Sequence, residues 1–104
     1  MFGWFDTKDE DALAQWVVDD MRERLPPDML GRPDRKVSER VHRMSEAISG
    51  RVRDFVSARK PNLYQRAHLG NRVKWALKEA GYPEDFVATF ITELMTLVTV
   101  ARRG

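Results

Sequence analysis

The 104-residue chain has no cysteine, which removes disulfide frameworks, thiolate nucleophiles and every cysteine-based zinc or iron–sulfur site at once. Histidine is almost as scarce, with only His42 and His68, and only three carboxylates follow Glu79. Arrangements able to perform acid–base or metal chemistry are correspondingly few. There is no phosphate-binding glycine loop, nucleophile elbow, HExxH pair or calcium loop, and no internal repeat or low-complexity tract. No alternation of apolar and polar residues persists for more than a few positions, so strands are not expected. The greasiest stretch, Phe86 to Ala101, falls short of the roughly 20 residues a bilayer span needs and carries Glu93 and four threonines. The apolar opening, Met1 to Phe5, turns acidic at once and has no basic leader or cleavage site of the secretory kind. These absences predict a soluble, cytoplasmic protein with no membrane contact, no cofactor, no metal site and no catalytic residues.

What is present is enough hydrophobic content, 42%, to predict one folded domain over 1–104 with a single modest core. Thr7 with Glu10 reads as a capping box, Asp9, Glu10 and Asp11 suit a helix N-terminus, and Arg22 and Arg24 suit its end. This defines a first helix over about 8–24, with Leu13, Ala14, Val17, Val18, Met21 and Leu25 facing inward, preceded by an apolar arm over 1–6. Pro26, Pro27, Gly31 and Pro33 then predict an irregular linker over 25–34. From Asp34, a candidate N-cap, Val37, Val41, Met44, Ile48, Val52 and Phe55 form a narrow seam resembling that of a coiled coil along a second helix over about 35–60. This helix is either continuous or broken near Gly50, since a helical glycine costs on the order of 1 kcal/mol relative to alanine. Asn62 and Gln65 cap a third helix over about 63–80, with Leu69, Val73, Ala76, Leu77 and Ala80 inward, and Gly81 and Pro83 join it by a tight turn to a fourth over about 84–102. The expected fold is an all-α bundle of four main helices.

The charge is uneven. Residues 1–34 hold four Lys/Arg against nine Asp/Glu, whereas residues 35–60 hold eight against three and residues 61–80 four against one. One reading of the basic middle is a nucleic-acid interface using Arg40, Arg43 and Arg51 on one flank of the second helix, continued by Lys60, Arg66 and Arg72. The competing reading is a solvated basic face that partly neutralises the acidic first helix. Glu39-x-x-His42 with Glu46 matches half of a carboxylate-bridged metal site, but the facing helices supply no second half, and these residues lie opposite the apolar seam.

Two aromatic groups sit off the expected core. Tyr64, His68 and Trp75 share one side of the third helix beside Arg72, as a partner surface or as packing against the first helix or the arm. Trp16 shares its side with Asp20 and Glu23, where Phe2, Trp4 or Phe5 are expected to fold back over it.

The fourth helix is the richest feature. Eleven of its sixteen residues from Phe86 to Ala101 are apolar, and nine of them, Phe86, Val87, Phe90, Ile91, Leu94, Met95, Leu97, Val98 and Ala101, cover an arc of roughly 160°, wider than the stripe of about 100° a surface helix needs. Such a helix needs two neighbours, and the second is expected to be another copy of the chain, met through Phe86, Val87, Phe90, Ile91, Leu94, Met95 and Val98. A charge at Ile91 or Met95 should then split the dimer with less damage than one at Phe90. The functional expectation is a non-enzymatic helical protein-interaction module, an adaptor, regulatory or assembly factor, that self-associates; the alternative is a nucleic-acid-binding protein using residues 35–80.

Overall fold

Every expected helix is present in the computed structural model, which describes residues 2–31 and 34–104. Met1, Arg32 and Pro33, together with the side chain of Phe2, lie outside the described residues. The helices are α1 (Lys8–Arg24), α2 (Arg35–Arg59), α3 (Leu63–Glu79) and α4 (Glu84–Arg103), with no strand among the described residues. The arm forms a 3-10 turn at Phe2–Phe5. The linker is less irregular than its prolines suggest, because Pro27 opens a second 3-10 turn at Pro27–Met29.

Side-chain capping decides most of the boundaries. Asp34 accepts the backbone N–H of Lys36 at 2.9 Å and starts α2. Asn62 and Gln65 form the full reciprocal capping box of α3. Lys60 ends α2 in the left-handed conformation, φ 49°, and the adjoining Pro61 cannot donate to continue the helix. Gly81, at φ 97°, makes the turn into α4, and Pro83 stands at the N-cap of α4, one position before its first turn. At α1 the expected box is not formed. Thr7 makes no capping bond; Asp6 accepts the N–H of Lys8 instead, and the Glu10 side chain is buried.

The helices form a four-helix bundle in which α1 and α4 each pack on both α2 and α3. Directions follow from contacts at the ends. Arg40 of α2 donates to the Arg24 carbonyl and Arg59 pairs with Asp9, so α2 runs antiparallel to α1. Arg102 of α4 donates to the Pro61 carbonyl just before α3, so α3 and α4 are antiparallel. One core unites Leu13, Val17, Met21 and Leu25 with Ile48, Val52 and Val56, Leu69, Val73 and Leu77, and Val87, Leu94 and Val98. Each such side chain contributes about 1.5–3 kcal/mol when fully buried.

The inward row of α2 departs from the expected seam. Met44, Ile48, Val52 and Val56 are buried, Val37 and Phe55 are half-buried, and Val41 is exposed. Successive steps of four residues rotate the buried row by about 40° each, so α2 crosses its neighbours along an i+4 ridge and does not follow a coiled-coil seam. Gly50 leaves α2 unbroken, with nothing within 4 Å of where its Cβ would stand. Gly70 does the opposite kind of work, since a Cβ there would stand 2.9 Å from the Met95 sulfur, so its missing side chain lets α4 approach α3 closely.

Candidate functional site

Both neighbours of α4 lie within the chain, because α2 and α3 flank it. This corrects the expectation that the second neighbour of the wide apolar arc is another copy. Of the seven residues expected to self-associate, Val87, Leu94 and Val98 are internal core and cannot face a second copy. Met95 is half-buried against Gly70, and Ile91 beside it is also half-buried. Phe86 and Phe90 turn toward α2. There they line an open groove of about 220 Å³ with Val41, Ser45, Ser49 and Leu97, above a floor of Met44, Ile48 and Leu94. The serines explain the space, since two small side chains stand on α2 where the facing helix carries two phenylalanines.

The remaining face of α4 points away from the bundle. Ala88, Thr89, Thr92, Thr96 and Val100 are exposed and Thr99 is half-buried, and between Asp85 and Arg102 the helix has one charge, Glu93. The threonines are less polar than their names suggest. Thr92, Thr96 and Thr99 donate their hydroxyls to the carbonyls of Ala88, Thr92 and Met95 at 2.8–3.0 Å, which ties up each donor inside the helix. With that donor satisfied, the surface around the hollow these residues line is largely apolar. Thr92, Met95, Thr96, Thr99 and Val100 surround a shallow open hollow, and Val100 is 61% exposed. The i, i+4 spacing of Ala88, Thr92, Thr96 and Val100 displays this face in the sequence, but the apolar wheel draws attention to the opposite side.

The expected partner surface on α3 divides into two environments. Tyr64 packs edge-on against Phe5 at 5.2 Å between ring centres, and Asn62 and Gln65 bind carbonyls of the arm. The arm therefore lies on α3, which corrects the expectation that Trp4 or Phe5 folds back over Trp16, whereas the side chain of Phe2 lies outside the described residues. The Arg51 guanidinium covers the Trp16 ring instead, at 4.7 Å. His68 and Arg72 both reach Asp11 of α1, at 2.6 and 3.4 Å. Trp75 stands 57% exposed, with the ammonium groups of Lys74 and Lys78 near its ring.

The residues of the basic segment are scattered in their partners. Arg40 is bound to the end of α1, Arg51 to Trp16, Arg72 to Asp11, and Arg66 to the Asn62 carbonyl, while Lys60 is the residue that ends α2. Arg43 lies beside Glu23 and Glu39 as well as Lys36 and Arg40, in a hollow of mixed charge. Part of the charge asymmetry is thus met inside the chain, where Arg59 and Arg72 pair with Asp9 and Asp11.

Glu10 is raised above its usual 4.5, chiefly by burial; Asp9 and Asp6 add to this, while a hydrogen bond from its own backbone N–H and the charge of Arg59 oppose it. Burial pushes the Tyr82 hydroxyl up to about 12, against a smaller opposing effect of Arg22, and that hydroxyl donates to the Leu25 carbonyl at 2.8 Å. Neither buried group was legible as such in the sequence. Glu39, His42 and Glu46 are exposed, with His42 and Glu46 paired one turn apart, and no cluster of metal-ligating side chains exists among the described residues. No helix is long and apolar enough to cross a membrane among the described residues. Compared with known proteins, the chain matches no family model, and no curated protein or solved structure is significantly similar to it.

Proposed function

We propose that this chain is a non-enzymatic protein-interaction module of the adaptor, regulatory or assembly type, and that it self-associates through the outward face of α4. The observation that carries the reading is the near absence of charge on that face from Ala88 to Val100, on a chain where a third of all residues are charged. Covering a hydroxyl without a partner costs about 1–3 kcal/mol. Here three of the four threonines, Thr92, Thr96 and Thr99, already donate within their own helix, so a second surface can cover them at little cost. The basic segment supports a nucleic-acid interface less well, because Arg40, Arg51, Arg66 and Arg72 are engaged within the chain.

Sedimentation equilibrium from low to high micromolar concentration tests the proposal. The expected result is a reversible monomer–dimer equilibrium that Thr96→Arg abolishes while the helical circular dichroism is unchanged. A strictly monomeric mass at high micromolar concentration, or a dimer indifferent to Thr96→Arg, would remove the support for this face.

A further inference from the structure

The self-association just proposed leaves the geometry of pairing open, and the ends of the same face define it. Asp85 and Arg103 are both exposed and both helical, and they stand 18 residues apart. At about 100° per residue that spacing is five whole turns, so the two opposite charges project in the same direction, about 27 Å apart along α4. Among the described residues neither has an ion-pair partner: Glu84 is the one that meets Lys78, and Arg102 the one that meets the Pro61 carbonyl. Thr92, Thr96 and Thr99 lie between them on the same side, within about 40° of the line joining them.

We infer that α4 pairs with α4 of a second copy in antiparallel register about a two-fold axis level with residue 94, placing Asp85 of each copy beside Arg103 of the other. This rests on the reading of the outward face given above. A two-fold interface must be self-complementary, since the same patch meets itself. In this register each end is complementary in charge, with an acid at the first turn of one helix meeting a base at the last turn of the other. It is complementary in shape as well, because Val100 comes opposite the small Ala88 of the other copy, and Thr92 comes opposite Thr96. A parallel arrangement would set acid against acid and base against base. One contact opposes the pairing: the two Glu93 side chains come to the same side of the axis at nearly the same level. Glu93→Gln should therefore tighten it. A single-helix contact is at the small end of stable interfaces, so the dimer dissociates on dilution.

Charge reversal separates this register from the general reading. Asp85→Arg alone, or Arg103→Asp alone, turns two attractions into two repulsions and should raise the dimer dissociation constant about tenfold or more. The double variant should restore it. An equimolar mixture of the two single variants should associate where neither does alone, because one chain then carries two bases on this face and the other two acids. A wild-type dimer that tolerates both reversals would overturn the register while leaving self-association standing. A wild-type monomer would overturn both.

Discussion

Replacing Gly50 with alanine should stabilise the chain by about 1 kcal/mol, the full difference in helix propensity between the two residues. The structure supplies the reason that nothing is subtracted. Gly50 lies well inside α2, and an added methyl meets nothing within 4 Å, so there is neither a clash nor a contact to confuse the comparison. For a domain of this size the gain corresponds to a rise in melting temperature of about 4 °C, with an unchanged denaturant m value. Gly70→Ala is the internal control, since the same propensity gain is set there against a methyl 2.9 Å from the Met95 sulfur. Its gain should be smaller or absent. Thermal and urea unfolding followed by circular dichroism at 222 nm measures both. The result bears on more than stability, because Val41, Met44, Ser45, Ile48 and Ser49, the α2 side of the groove, all precede Gly50. If Gly50→Ala leaves stability unchanged or lowers it, α2 is not continuous through position 50 and the groove as described does not persist in solution.

Three further outcomes are expected. Glu10 has a raised pKa in the folded chain, so its contribution to stability is complete below the ordinary value of 4.5 and is lost as pH rises through the folded value. Glu10→Gln should accordingly be more stable than the wild type at neutral pH, by a margin that shrinks as pH falls toward 4.5, as read from urea midpoints; a margin independent of pH would contradict the burial of the carboxyl. Tyr82→Phe should cost about 1–2 kcal/mol, because it leaves the buried Leu25 carbonyl without its donor, and a cost near zero would place that hydroxyl in water. Titration of a labelled DNA duplex by fluorescence anisotropy should show no salt-dependent binding near physiological ionic strength; tight binding with a steep salt slope, weakened by reversing Arg40, Arg43 and Arg51, would favour the nucleic-acid alternative.

The fold was legible in the sequence because its helix limits are set locally. Asp34, Asn62, Gly81 and the prolines act on the backbone within a few residues of themselves, and the four helices follow. Gly50 was harder, because its cost of about 1 kcal/mol competes with packing by residues on both sides, and only the tertiary structure shows that packing wins. Tertiary choices were not legible. The wheel shows that α4 needs two neighbours, but α2 and α3 serve as well as a second copy does, and the choice depends on bundle geometry. The capping box at Thr7 failed because burial of Glu10 competes with the same side chain reaching back to the backbone. The outward face of α4 is hidden in the sequence because threonine counts as polar unless its hydroxyl binds the preceding turn.

The absence of cysteine allows a single labelling site anywhere in the chain. A nitroxide at Glu84→Cys, outside the proposed contact, measured by pulsed dipolar spectroscopy on concentrated protein, tests the pairing most directly. Antiparallel pairing about residue 94 separates the two positions by 20 residues of helix, about 30 Å, and predicts a distance distribution centred near that value. No dipolar modulation, or a distance below about 20 Å as parallel helices would give, would contradict it.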